Sequence, residues 1–131
     1  MKAYKYRIYP NTEQKILIAK TFGCVRKVYN LMLEDRIKNY GLEKNTGIKQ
    51  KLPTPAQYKV QFPFLSEVDS LALANAQLNL NRAYQNFFRR VKQSNGKEKA
   101  GFPKWKTRKI QYKAIQLIIK KVQFLLLMAA I

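Results

Sequence analysis

Positive charge and aromatic rings alternate between Asn81 and Lys109, in the run NRAYQNFFRRVKQSNGKEKAGFPKWKTRK, where Glu98 is the one acid. The chemistry such a run can do is to grip a polyphosphate. Lys and Arg displace condensed counterions from a nucleic-acid backbone, while flat rings such as Tyr84, Phe102 and Trp105 stack on bases or wedge against sugars. A single ring or charge of this kind is more often a docked side chain or a solvated face. The whole run is not explained that way.

A second set of polar side chains sits just upstream. On a helical register Asn75, Asn79, Arg82, Asn86 and Arg89 share one side, with Arg90 beside them. Asparagine forms helix only moderately well, so its repetition on a face free of packing constraints points to contact with a base edge or phosphate. Asn pairs through two groups with adenine and Arg with guanine, which suits a reader of a short duplex motif. The competing explanation is a surface written in an AT-rich genome, and the stripe alone does not separate the two. Further on, Lys104, Lys106, Arg108 and Lys109 would line a phosphate path.

Composition narrows the classes. The 131 residues hold 26 Lys or Arg against 7 acids, a formal net charge of +19, far beyond what solubility asks of a small domain. A membrane-surface protein would concentrate that charge on one amphipathic helix, whereas here it runs from Lys2 to Lys121, so DNA or RNA is the expected partner and no membrane is. A single cysteine, Cys24, forbids an internal disulfide and, with no histidine, a Cys/His zinc site. The acids Glu13, Glu34, Asp35, Glu43, Glu67, Asp69 and Glu98 are scattered, and none makes a convincing metal pair. No catalysis, cofactor, metal or small-molecule substrate is expected. The N-terminus lacks an apolar export segment, and a cytoplasmic location is expected.

The elements that position these residues follow from periodicity. Ala3 to Tyr9 alternate charge with Tyr and Ile, the pattern of a strand stopped by Pro10. Asn11 and Gln14 form a capping box, so a helix begins at Thr12 and runs to about Tyr40, ended by Gly41. Its apolar face is Ile18, Phe22, Val25, Tyr29, Met32 and Leu33, flanked by Leu17, Cys24, Val28 and Leu31. Gly23 inside it hints at close packing or a break. Residues 41–55 read as a mobile connection, and PAQYKVQFPFLSEV as short helical turns divided by Pro63. Ser66 or Asp69 caps the next helix, Ser70 to about Gln93, with Leu73, Ala76, Leu80, Ala83, Phe87 and Val91 inward. A flexible turn at Asn95 and Gly96 leads into an extended basic arm around Pro103.

In this order, KAYKYRIYPNTEQ, FGCVRKVYNLML, FLSEVDSLALANAQLNLNRAYQNFFRR and GFPKWKTRK closely resemble the N-terminal region of the TnpB (OrfB) family of insertion-sequence transposon proteins, over residues 2 to about 109. The resemblance implies a helix-turn-helix region of an RNA-guided DNA endonuclease. It implies that Lys2 to Tyr9 is the first strand of a wedge barrel, Thr12 to about Val91 a helical recognition lobe, and GFPKWKTRK the return into the barrel. It places contacts with guide RNA and the DNA motif on the Ser70 to Arg90 helix. Some members carry a glutamine pair there, at the positions of Ala74 and Asn75. The family's three metal-binding acids and four-cysteine zinc element would fall after residue 131.

Residues 114–131, AIQLIIKKVQFLLLMAAI, turn abruptly apolar, with Lys120 and Lys121 leaving too short a run to cross a bilayer. Shifting the reading by one base just before Ala114 can restore Ser-Tyr-Thr-Thr, which the family commonly has there, so a frameshift is expected to have produced this tail. The alternative is a genuine short variant ending in an amphipathic helix.

The expected fold is therefore mainly α: a helical recognition-type bundle with an N-terminal strand and a short extended basic segment, an incomplete wedge β-barrel. Residues 1–10 are the wedge-type strand, 11–93 the helical nucleic-acid-binding region, 94–112 the basic loop and arm, and 113–131 the atypical tail. The expected function is non-catalytic binding of DNA, of transposon-end or guide RNA, or of both. The alternatives are a stand-alone basic RNA-binding protein and a functionless transposon remnant.

Overall fold

Pro10 and Asn11 set the first boundary. In the computed structural model, which describes residues 2–97 and 99–107, the Asn11 Oδ1 accepts the Gln14 amide at 2.8 Å while Gln14 Oε1 accepts the Asn11 amide at 3.0 Å. Two of the donors that a helix start leaves unpaired are thereby satisfied, and helix α1 spans Thr12–Thr46. Thirty-five residues at 1.5 Å each make a rod about 52 Å long.

Gly41 does not end this helix, and Gly23 does not break it. Both lie within α1, and a Cβ added to either would meet nothing within 4 Å, so no close packing explains them. Each raises the local free energy by about 1 kcal/mol relative to Ala, less than the burial of Cys24, Val28, Tyr29, Met32 and Leu33 between them gains. The stop comes at Gly47, whose φ of 69° is left-handed and whose amide bonds the Glu43 carbonyl at 2.8 Å. Glycine takes that conformation without strain.

After a short connection Thr54 and Pro55 start helix α2, Pro55–Gln61, with the Thr54 amide bonded to Gln57 Oε1 at 3.1 Å. Pro63 opens a 3-10 turn, Pro63–Glu67. Asp69, one of the two expected caps, accepts the Leu71 amide at 3.0 Å and starts helix α3, Ser70–Ser94. Asn95 and Gly96, both at positive φ, reverse the chain there.

The core sits where α1 and α3 pack together, with α2 and the 3-10 turn against them. Val28, Leu33, Leu65, Leu73 and Leu80 are fully buried, with Cys24, Tyr29, Met32, Tyr58, Val68 and Ala76 around them. Val28 and Cys24, placed on the flank by periodicity, are central; Leu17, placed beside them, is exposed. Tyr58 donates to the Asp35 carboxylate, and burial first, then that hydrogen bond, holds its hydroxyl well above the usual tyrosine range.

The expected N-terminal strand is not there. Among the described residues no strand occurs, and residues 2–9 run exposed up to Pro10. The alternation is real, but a strand exists through ladder bonds to a neighbour, and among the described residues no second strand is present to accept it. The incomplete wedge barrel is corrected accordingly: the described residues form three α-helices and a 3-10 turn. The expected 113–131 tail lies outside the described residues.

Candidate nucleic-acid interface

Burial of Leu73, Ala76 and Leu80 fixes the rotation of α3, because side chains at these spacings share one face of a helix. The opposite face then points to solvent. Asn75, Asn79, Arg82, Arg89 and Arg90 are exposed, and Asn86 is half-buried. The six residues of the stripe are thus presented along one helix. Leu71 and Leu78, 72% and 61% exposed, share that outward side and were absent from the sequence reading, so the face is mixed rather than purely polar.

Around α3 the charge is almost all of one sign. Between Ser70 and Thr107 the only acid is Glu98, against Arg82, Arg89, Arg90, Lys92, Lys97, Lys99, Lys104 and Lys106. All of these but Lys106 are exposed. At the end of the helix Arg90, Gln93, Ser94 and Lys97 line a shallow cleft of about 280 Å³.

The arm is docked, not free. Phe102 sets its ring edge-on to Tyr84 at 5.6 Å and to Phe87 at 5.2 Å, and Pro103 is buried. Three residues after Pro103 the Lys106 amide donates to Asn30 Oδ1 at 2.8 Å while Asn30 Nδ2 donates to the Lys106 carbonyl at 3.2 Å. One side-chain amide on α1 thus serves the arm as a neighbouring strand would. The Lys106 ammonium lies 5.1 Å over the Tyr29 ring, so this lysine, expected on a phosphate path, is largely engaged inside the protein. Lys104 remains exposed; Arg108 and Lys109 lie outside the described residues.

Sequence reasoning missed Arg36. Its guanidinium stacks 4.9 Å over Tyr84 and donates to Asn81, and its Nε is buried without an acceptor. Desolvation lowers its affinity for the proton, partly offset by the hydroxyls of Tyr84 and Tyr29. The available signal was its position: Arg36 follows Tyr29, Met32 and Leu33 on the buried side of α1, where a charge must find partners.

Among the described residues no three His, Cys, Asp or Glu side chains gather as metal ligands, and no helix is long and apolar enough to cross a membrane. Cys24 is buried, and that burial pushes its thiol up and away from reactivity.

Comparison with known proteins gives the arrangement its relatives. A model described as a helix-turn-helix domain, of the OrfB and IS605 kind, matches residues 1–45. A protein of Streptomyces pristinaespiralis with the provisional name RNA-guided DNA endonuclease is 37% identical over 111 residues, covering 82% of this chain and 26% of its own length. The chain thus spans about a quarter of that relative. Virulence protein VsdF of Salmonella dublin is 33% identical over 116 residues, which cover 81% of this chain and 92% of VsdF.

Proposed function

The chain belongs to the TnpB (OrfB) family, and from that premise we propose that it is a non-catalytic nucleic-acid-binding portion of a transposon-encoded RNA-guided endonuclease system. The observation that carries this reading is the α3 surface: an outward face of Asn75, Asn79, Arg82, Arg89 and Arg90, with half-buried Asn86, on a helix locked by Leu73, Ala76 and Leu80. A rigid helix presenting amides and guanidiniums in an acid-poor field can read base edges while the flanking cations hold phosphates. The match at residues 1–45 to a helix-turn-helix domain supports DNA as one partner.

On this reading residues 11–93 form the binding unit. Residues 94–112 form the basic arm. Strand scission in the family is the work of grouped acids, and among the described residues no such group occurs, so on this reading the chain binds and does not cut.

The test separates reading from gripping. Across a panel of duplexes and RNAs at one fixed salt concentration, Asn75→Ala, Asn79→Ala and Arg82→Ala are expected to change the ranking of sequences. Lys97→Gln and Lys104→Gln, at exposed cations off that face, are expected to weaken all of them alike. Equal, ranking-preserving losses from both groups would remove the case for α3 as a reader.

The net charge of +19, which does not distinguish RNA from DNA, leaves one second reading, a basic RNA-binding protein. Preference for unrelated structured RNA over transposon-end RNA at matched salt would select it.

A further inference from the structure

Four rings meet where α3 joins the arm. Phe87 and Phe88 are 5.3 Å apart, Tyr84 and Phe88 6.1 Å, and Phe102 sits edge-on to both Tyr84 and Phe87. Tyr84 and Phe87 are half-buried and spend their surfaces on these contacts, yet Phe88 stays 61% exposed and Phe102 45%. Of the three rings the sequence offered for stacking, Tyr84 and Phe102 are thus occupied with each other, while Trp105 on the arm stays 48% exposed. Phe88, which it did not single out, is left with a free face on a fixed support.

Resting on the nucleic-acid-binding reading above, we propose that this cluster is a stacking platform for an unpaired base of a single-stranded segment, with Phe88 as the ring the base lies on. Charge selects the occupant. Lys92 lies one turn beyond Phe88 on the same side of α3, Arg36 stacks on Tyr84, and Lys104 is exposed on the arm. An apolar protein segment would bring these cations no counter-charge. A nucleotide brings both a π-face and a phosphate, and only an unpaired one has a base face free of its own stack. The platform is therefore distinct from the Asn75 to Arg89 face, which suits the edges of paired bases.

The experiment uses the full chain and two probes of one sequence, a single strand carrying 2-aminopurine and its blunt duplex, each made as RNA and as DNA. The unpaired probe is expected to lose fluorescence on binding. Phe88→Leu, which keeps apolar bulk, is expected to abolish that quenching and to weaken single-strand binding by about 5- to 150-fold, with duplex affinity unchanged. Phe88→Trp is expected to retain both signals. Salt-sensitive binding without quenching, or Phe88→Leu behaving as the parent, overturns the platform and leaves the broader function standing. Equal losses on single strand and duplex assign Phe88 to general packing and also overturn it. Failure of the parent to bind any probe at low salt removes both proposals.

Discussion

Asn30 shows how one side chain can decide where a binding arm lies. Its amide gives and receives a hydrogen bond at the Lys106 backbone, and that pair ties the arm to α1. Asn30→Ala should strand a half-buried amide and carbonyl, lower stability by about 1 to 2 kcal/mol in urea titration, and speed hydrogen exchange at the Lys106 amide. Unchanged exchange there would show that Phe102 and Pro103 hold the arm unaided. Tyr58 makes a pH prediction of the same kind. Tyr58, Tyr29 and Tyr84 are all held above the usual tyrosine range, chiefly by burial, so above about pH 10 the unfolded chain releases protons that the folded chain keeps. Proton binding is then greater in the folded state, and stability must fall as pH rises through that window. Tyr58→Phe should flatten the alkaline fall measured by thermal melts between pH 9 and 11, taken as roughly one unit either side of that value. An unaltered fall would mean Tyr58 does not contribute.

At the scale of elements, α1 separates two kinds of glycine that look alike in the sequence. Gly23 occupies open helix, so Gly23→Ala adds helix propensity without a clash and should stabilise by about 0.5 to 1 kcal/mol. Gly47 sits at φ 69°, and Gly47→Ala should destabilise by about 1 kcal/mol despite equal room around it. Urea midpoints of the two variants must move in opposite directions. Both moving the same way would mean that the end of α1 has been misplaced. The same logic explains why Gly41 was a poor stop signal: a glycine in helical conformation costs a helix about 1 kcal/mol, and α1 ends only at Gly47, which takes the left-handed conformation.

For the molecule as a whole, the charge of +19 dominates its encounter with nucleic acid. Affinity should fall steeply as salt rises, since each neutralised phosphate releases condensed counterions. The structure refines which cations count. Lys104 is exposed, whereas Lys106 rests on Tyr29, so Lys104→Gln should reduce the salt slope on duplex DNA by about 0.9 and Lys106→Gln by clearly less. Equal slopes for the two variants, measured by fluorescence anisotropy, would mean that Lys106 leaves its ring to meet a phosphate.

Local rules carried much of this protein. The Asn11 box, the Asp69 cap, the turn at Pro63, the rotation of α3 and the polyanion-binding character follow from neighbours within a few residues and from net charge, because caps, helical periodicity and Coulomb attraction act without knowledge of the rest of the chain. Four things were decided only by the assembled fold. They are the absence of a ladder for Lys2 to Tyr9, the seating of Arg36 on Tyr84, the capture of Lys106 by Asn30, and the sacrifice of Tyr84 and Phe102 to each other while Phe88 stays open. Each joins residues distant in sequence or depends on a partner strand, and side chains alone do not reveal which distant groups folding will bring within a few ångströms.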